Sequence, residues 1–162
     1  MDSLLSSVPN YLYKIIDNEY KPFTNKLALP DCWNDDFNDY TEVINNGLRV
    51  KYIGPGLFDS EAECVVADKH IPRDVLLYYF EIDIIDKGIS ALELSKRTVT
   101  ATFYQVRWVF GSLGYHGDDG HRFFGRGLGN LYGPKFTSGD TIGCCVNFLN
   151  NQVFFTKNGI NL

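Results

Sequence analysis

Ten consecutive residues, SLGYHGDDGH (112–121), contain two histidines, two aspartates and three glycines. Imidazoles and carboxylates bind divalent metals, and the same groups act as acids, bases and orienting partners in catalysis. Zinc sites, however, usually draw their ligands from separate elements that converge on the ion. A site built from six consecutive residues would need the backbone to curl around the metal. We therefore expect no metal at the four candidate ligands, which are His116, Asp118, Asp119 and His121.

The same residues have the composition of a tight turn. Gly117 and Gly120 permit positive φ angles, which most other residues avoid. The carboxylates of Asp118 and Asp119 can accept hydrogen bonds from nearby backbone amides. The sequence therefore predicts that this stretch is a turn.

No other stretch has the spacing of a catalytic site. The chain contains no G-x-S-x-G motif, which would present a nucleophilic serine on a strand–turn–helix. Cys144 and Cys145 are adjacent in a predicted strand, where a thiol is poorly placed to act with a histidine. The glycines of GRGLGN (125–130) alternate, and no predicted helix follows that could hold a phosphate. These observations favour a protein that is not an enzyme and needs no cofactor.

Charge and composition exclude several classes of protein. The net charge of −5 over 162 residues disfavours a nucleic-acid partner, because phosphate binding requires a basic surface. No apolar run approaches the roughly 20 residues of a membrane span, and the first residues lack the pattern of a secretory signal. Four cysteines without C-x-x-C spacing are typical of free thiols in a reducing compartment. We expect an intracellular protein, cytoplasmic and with a nuclear location left open, that has no membrane partner.

Alternation of apolar and polar residues predicts a β-rich chain. Short runs of this kind recur about every ten residues, with Gly, Asn, Asp and Pro between them and no long helical pattern. Such spacing is typical of an antiparallel sandwich or barrel. We predict strands within five stretches, which are 48–54, 63–67, 75–86, 99–110 and 140–159.

Three local features accompany these strands. The stretch 140–159 is predicted to form two strands joined by a two-residue turn at Asn150–Asn151, because asparagine tolerates positive φ angles. A short helix is predicted at 9–17, where apolar residues recur on one side. Residues 21–33 are predicted to be an extended lead-in. The chain is therefore expected to be a single all-β domain with a short N-terminal helix.

The motifs of the chain, taken in order, resemble those of SPRY domains. The resemblance extends from about residue 29 to the last residue, and it is strongest to SPRY domains of the Ran-binding-protein type, which belong to the GID/CTLH ubiquitin-ligase group. It is carried by LPDCW (29–33), NNGLRVKYIGPG (45–56), YYFEIDIIDKG (78–88), GYHGDDGHRFF (114–124) and YGPKFTSGDTIGCCVNFLNNQVFFTKNG (132–159).

The resemblance implies a bent, concanavalin-like sandwich of two antiparallel sheets that binds a protein or short peptide through loops at one end. It implies that Gly139 and Asp140 turn the chain into a core strand, and that YHGDDG is a structural signature. It also implies a SPRY domain at 29–162 without the family's last strands. Residues 1–28, which contain the short helix predicted from the apolar pattern, are then expected to be a lead-in to this domain. By resemblance, the domain serves ubiquitin ligation as a substrate receptor or scaffold element, with ligase subunits among its partners.

The candidate partner-binding residues lie in two stretches rich in aromatic and apolar side chains. Tyrosine, tryptophan and arginine are the residue types that dominate binding hot spots. Arg107 precedes Trp108 where the family usually has a glycine, so we expect the shape of this second stretch to differ from that of relatives. The candidates are Tyr52, Pro55, Leu57 and Phe58 in the first stretch, and Tyr104, Val106, Arg107, Trp108 and Tyr115 in the second.

Two other functions can use the same kind of fold. A lectin-like sandwich would bind carbohydrate through aromatic platforms and a loop of Asp, Asn and Gly. A secreted effector of the same fold would carry a signal peptide. The intracellular interpretation and the order of the SPRY-like motifs favour a peptide- or protein-binding module over both.

Overall fold

The structure, a computed structural model, describes residues 28–34, 39–57, 61, 63–72, 75–86, 89–95, 98–103, 112–125 and 129–162. The helix predicted at 9–17 and residues 21–27 of the predicted lead-in lie outside these ranges. No helix of the described residues is long and apolar enough to cross a membrane. The described strands are β1 (Thr41–Ile44), β2 (Arg49–Tyr52), β3 (Glu63–Val66), β4 (Leu77–Asp83), β5 (Ile89–Ser95), β6 (Thr98–Phe103), β7 (Ser112–His116), β8 (His121–Phe124), β9 (Asn130–Leu131), β10 (Thr141–Asn147), β11 (Gln152–Lys157) and β12 (Ile160–Asn161).

The strands form three sheets in which every pair is antiparallel. β1 and β2 make a two-stranded hairpin. The four-stranded sheet has the order β12-β11-β10-β4, and the six-stranded sheet has the order β3-β6-β5-β7-β8-β9. Strands that are distant in sequence therefore become neighbours, as β4 and β10 do.

Side chains from the two larger sheets share one core. The ring centroid of Tyr115 in β7 lies 5.5 Å from that of Phe155 in β11. Leu92 of β5 and Ile142 of β10 are both 0% exposed and belong to the same cluster. Burial of each such side chain contributes about 1.5–3 kcal/mol, so the shared core holds the two sheets face to face. The prediction of an all-β antiparallel sandwich is confirmed.

The alternation predicted for 48–54 corresponds to a strand with one face toward solvent. In β2, Arg49 and Lys51 are exposed, whereas Val50 and Tyr52 are partly buried. The stretch 48–54 therefore has the period that its strand requires. β3, β4, β6, β10 and β11 also overlap the predicted stretches.

Two of the strands that were not predicted, β5 and β7, contain positions that are buried on both faces. Ala91 and Leu92 are neighbours in β5 and point to opposite faces, yet both are 0% exposed. β7 is buried or partly buried along its whole length. A strand covered on both sides has no polar face, so it shows no alternation in sequence.

The loop between β10 and β11 differs from its prediction. The last paired residues are Asn147 and Gln152, so the loop comprises the four residues 148–151 rather than two. Asn151 adopts the expected positive φ angle, at 56°. Phe148 packs against the core, and its N–H donates a hydrogen bond to the carbonyl of Leu76 at 2.9 Å. The apolar contact of this residue explains why the ladder ends earlier than the sequence suggested.

Residues 28–34 are the described part of the lead-in, and they are attached to the loop after β3. Trp33 forms a single antiparallel bridge with Ala67. The Asp68 carboxylate accepts a hydrogen bond from the N–H of Asp31 at 3.1 Å, and the ammonium group of Lys69 lies 2.8 Å from both carboxylates. These contacts hold the extended segment against the six-stranded sheet.

Candidate functional site

The stretch 112–121 is a β-hairpin, with β7 before a turn at 117–120 and β8 after it. The N–H of Gly120 donates to the carbonyl of His116 at 3.1 Å, and Gly120 has a φ of +79°. The Asp119 carboxylate accepts a hydrogen bond from the N–H of His121 at 2.8 Å. The turn and the role of one aspartate in it are therefore confirmed, although five of the ten residues belong to β7.

Gly117 has a different role from the one predicted. Its φ is not positive, whereas a Cβ atom at this position would lie 2.6 Å from a ring carbon of Phe136. The absence of a side chain at residue 117 lets the buried Phe136 ring approach the backbone of the turn. Gly117 is therefore needed for packing rather than for backbone conformation.

The turn brings polar side chains together. His116, Asp118 and Asp119 each offer a ligand atom, and these atoms all lie within 4.8 Å of one another. The Nδ1 atom of His121 lies 3.2 Å from a carboxylate oxygen of Asp119. The imidazole of His116 stacks on the Phe123 ring with 3.9 Å between centroids, and burial lowers its pKa. A neutral imidazole therefore faces two carboxylates at the tip of the hairpin.

The adjacent cysteines of β10 do not form a nucleophilic site. Cys144 belongs to the core cluster, whereas Cys145 is the next residue on the strand and points to the opposite face. Burial raises the pKa of the Cys144 thiol far above its ordinary value, and it raises the pKa of Cys145 to about 11. Both thiols therefore stay protonated near neutral pH, and a protonated thiol is a weak nucleophile.

The structure places one predicted partner-binding residue in the core. Tyr115 is 0% exposed, and its hydroxyl donates a hydrogen bond to the carbonyl of Pro134. Its ring lies 5.5 Å from Tyr132 and 5.1 Å from Phe136, measured between centroids. Burial raises the pKa of Tyr115 to about 12. A side chain without exposed surface cannot contact a partner, so we correct the assignment of Tyr115 to a core residue.

Three other candidates lie on or beside an exposed segment that follows β2. We call residues 53–57 the apolar loop. Ile53 is 54% exposed and Leu57 is 74% exposed, and Pro55 between them is also exposed. Tyr52, the last residue of β2, is partly buried at the start of this loop. Exposed aliphatic side chains of this size, placed so close together in the chain, make an apolar surface available to a partner.

Hydrogen bonds fix both ends of the apolar loop. The N–H of Ile53 donates to the carbonyl of Tyr40 at 2.8 Å. The hydroxyl of Tyr52 donates to the carbonyl of Glu61 at 2.9 Å, and the carboxylate of Glu61 accepts from the N–H of Leu57 at 2.6 Å. Glu61 therefore clamps the loop from both sides. The role of Glu61 was not predictable, because nothing in the sequence shows that a carboxylate four residues after Leu57 caps its amide.

A second turn shows how the chain enters the core strand β10. Gly139 has a φ of +89°, and the carboxylate of Asp140 accepts a hydrogen bond from the N–H of Thr137 at 2.9 Å. Asn158 donates to the same carboxylate at 3.0 Å, and the Lys157 ammonium lies 3.0 Å from it. These contacts lower the pKa of Asp140, and the hydrogen bond from Asn158 has the largest effect. The role that the resemblance implied for Gly139 and Asp140 is confirmed.

The remaining candidates, Phe58, Tyr104, Val106, Arg107 and Trp108, lie outside the described residues. The fold and the described site together define a class of protein: a β-sandwich whose turns are held by internal hydrogen bonds and whose exposed apolar loop suits recognition. The SPRY domain model matches residues 77–162. The chain belongs to the SPRY domain family.

Similar proteins support this membership. The chain is 42% identical over 156 residues to "Ran-binding protein 9" of Mus musculus, with 93% of this chain and 23% of the relative covered. It is 44% identical over 145 residues to "Ran-binding proteins 9/10 homolog" of Drosophila melanogaster, with 85% of this chain and 15% of the relative covered. This chain therefore spans less than a quarter of the length of either relative.

A solved structure also resembles this one. "Crystal structure of human SPRY domain" matches with a TM-score of 0.58 and 28% sequence identity. The match covers 82% of this chain and 79% of that chain. The sandwich described here is thus similar to that of a solved SPRY domain.

Proposed function

We propose that this chain is a non-enzymatic interaction module that binds a protein or short peptide through the apolar loop. The observation that carries the proposal is a loop that is both apolar and held in place. Ile53 and Leu57 expose more than half of their surface, while Glu61 and Tyr52 fix the backbone that presents them. A fixed loop loses little conformational entropy on binding, so most of the free energy of burying its side chains appears as affinity.

The candidates around the loop have different roles in this proposal. Leu57 and Pro55 contact the partner directly, because both are exposed. Tyr52 acts mainly as a support, because its hydroxyl is already committed to Glu61. Phe58, adjacent to Leu57 in sequence, is proposed as a further contact residue. Arg107 and Trp108 form the second contact region, together with Tyr104 and Val106.

The partner class follows from the same surface. An apolar loop that is held in place suits an extended peptide with apolar side chains, or a protein surface that presents one. From the resemblance of its motifs to those of ubiquitin-ligase SPRY domains, we further propose that the chain acts as a substrate receptor or scaffold element of a ubiquitin ligase and resides in the cytoplasm, with a nuclear pool left open. These finer assignments rest on family membership rather than on a contact in the structure.

A matched pair of variants tests the contact. Leu57→Ser removes the leucine of the apolar loop, which is 74% exposed. Leu48→Ser removes a leucine that is 59% exposed in the β1–β2 turn, at the opposite end of β2. Burying a leucine on binding contributes about 1.5–3 kcal/mol, which corresponds to roughly a 10–100-fold change in Kd. We expect Leu57→Ser to lose partners in quantitative affinity purification, and Leu48→Ser to retain them. Equal loss in both variants would contradict the assignment.

The finer parts of the proposal have separate readouts. Mass spectrometry of the purified partners should contain ubiquitin-ligase subunits if the receptor role is correct. A glycan array tests the lectin-like alternative, and carbohydrate binding that Leu57→Ser does not change would favour it. Partners that are retained by wild type and lost in Leu57→Ser, without any ligase subunit, would support the binding loop and refute the ligase role.

A further inference from the structure

We propose that Asn46 is a site of spontaneous deamidation and isoaspartate formation, and that this modification loosens residues 28–34 from the β1–β2 turn. The sequence contains two Asn–Gly dipeptides, Asn46–Gly47 and Asn158–Gly159. A glycine after asparagine favours the reaction, because no side chain on the glycine obstructs the attack of its backbone nitrogen on the asparagine amide. The structure gives the two dipeptides different surroundings, and this difference selects Asn46.

The reaction takes place between adjacent groups of the chain. The backbone nitrogen of Gly47 loses its proton to hydroxide and attacks the side-chain carbonyl carbon of Asn46. The new C–N bond closes a succinimide ring, while the bond to the side-chain nitrogen breaks and this nitrogen takes up a proton from water and leaves as ammonia. Water then opens the ring at either of its carbonyl groups. The products are aspartate or isoaspartate at residue 46, and solvent water is the co-reactant.

The turn between β1 and β2 leaves the side chain of Asn46 able to react. Asn46 is exposed, and its side chain makes no hydrogen bond with the described residues. Asn45 and Asn46 each have a φ of 55°, a conformation that is unfavourable for residues with a side chain. A hydrogen bond from the N–H of Leu48 to the carbonyl of Asn45, at 3.1 Å, closes the turn. Opening of this turn relieves the unfavourable conformation and lets the Asn46 amide approach the Gly47 nitrogen.

Asn158 precedes a glycine too, but hydrogen bonds hold it in place. Its N–H donates to the carbonyl of Thr141 at 2.8 Å. Its side-chain oxygen accepts a hydrogen bond from the N–H of Thr141 at 2.8 Å, and its side-chain nitrogen donates to Asp140 at 3.0 Å. Asn158 has a φ of 52°, so the backbone conformation does not distinguish the two sites. Its side-chain hydrogen bonds must break before the amide can reach the Gly159 nitrogen, so we expect Asn158 to react more slowly.

The position of Gly47 gives the modification a structural effect. The N–H of Trp33 donates to the carbonyl of Gly47 at 2.8 Å, and a Cβ atom at Gly47 would lie 2.4 Å from the Cβ atom of Cys32. Residues 28–34 therefore pack directly on the backbone of the turn. Isoaspartate routes the main chain through the side chain of residue 46 and lengthens it by a methylene group, which displaces Gly47 from these contacts. We expect the hydrogen bond from Trp33 to weaken.

The test is controlled ageing of the full chain in mildly alkaline buffer, followed by peptide mapping with mass spectrometry. Methyl transfer by a protein isoaspartyl methyltransferase detects the isoaspartate. We expect Asn46 in the native protein to be converted roughly 10-fold faster than Asn158 or more, because each hydrogen bond that holds Asn158 adds to the free energy of opening. Ageing of the urea-denatured chain is the matched control. Both dipeptides should then react at similar rates, because the fold no longer protects Asn158.

Hydrogen exchange at the Trp33 amide measures the structural effect. Exchange should become faster as isoaspartate accumulates, and it should stay constant in aged Asn46→Gln, because the longer glutamine side chain closes the corresponding ring far more slowly. Circular dichroism establishes that this variant is folded. The modification site is refuted if native Asn46 stays intact while the denatured chain reacts, or if Asn46 and Asn158 react equally fast in the native protein. Unchanged Trp33 exchange in converted protein would refute the effect on residues 28–34.

Discussion

Replacement of Tyr115 separates a core role from a partner-binding role. Tyr115→Ala removes a ring that is 0% exposed and lies within 5.5 Å of the Tyr132, Phe136 and Phe155 rings, between centroids. Truncation of a buried aromatic side chain to alanine costs about 3–5 kcal/mol, which includes the lost transfer free energy and the cavity left behind. Against a typical free energy of unfolding of about 5–15 kcal/mol, this is a large fraction of the total.

Tyr115→Phe isolates the hydroxyl. It keeps the ring and removes only the hydrogen bond to the Pro134 carbonyl. A hydrogen bond of this kind contributes about 0.5–1.5 kcal/mol net. Pro134 is exposed, so water can hydrate the freed carbonyl, and we expect a cost in the lower part of that range. The ratio between the two variants therefore distinguishes ring packing from hydrogen bonding.

Urea denaturation measures both effects through the midpoint at constant slope. We expect a large midpoint decrease for Tyr115→Ala, a small one for Tyr115→Phe, and unchanged partner binding by Tyr115→Phe. Folded Tyr115→Ala protein with a free energy of unfolding within about 1 kcal/mol of wild type would refute the core assignment. Selective loss of partner binding in Tyr115→Phe would do the same.

Two further predictions concern titratable groups. The pKa of Asp140 is lowered from its ordinary value of 3.8, mainly by the hydrogen bond from Asn158. The charged carboxylate therefore stabilises the fold fully at pH values above 3.8, and this stabilisation is lost as the pH falls through the folded-state pKa. Asp140→Asn should therefore have a lower free energy of unfolding than wild type at neutral pH, and the difference should shrink in acid. Urea midpoints from about pH 2.5 to about pH 7 measure this difference. A difference that stays constant with pH would contradict the prediction. Cys144 and Cys145 should react with a thiol reagent at alkaline pH more slowly than Cys64, because both are buried with raised pKa values and Cys64 is only partly buried. Mass spectrometry of partly labelled native protein identifies the order, and labelling of Cys144 as fast as Cys64 would count against the buried position of β10.

Much of the fold was predictable because half-buried strands leave a period of two in the sequence. β2 shows this in its exposed Arg49 and Lys51 and its partly buried Val50 and Tyr52. β5 and β7 were harder to predict, because Ala91 and Leu92 of β5 are both buried and β7 is buried or partly buried along its length, so neither strand has an exposed face at these positions. Their place in the six-stranded sheet is decided by contacts with strands that are distant in sequence.

In the candidate site, too, some features were predictable from the sequence and others depend on the tertiary structure. The composition of residues 112–121 was enough to predict a turn, since glycine and aspartate act locally on the backbone. Whether Gly117 serves backbone conformation or packing depends on Phe136, which lies in a later segment. Glu61 as the clamp of the apolar loop and the convergence of His116 with two carboxylates likewise depend on distances in space.

Tyr115 shows the difference most directly. Its residue type and its position beside a glycine-rich turn made it a candidate for partner binding, and both properties are visible in the sequence. Its burial arises because β11 and residues 132–136 pack around the ring. Residue type and periodicity are local properties of the chain, so the sequence alone determined the β class of this protein and the turn within residues 112–121. Burial is a sum over neighbours from the whole fold, so only the tertiary structure decided which aromatic side chain packs in the core and which apolar loop is exposed.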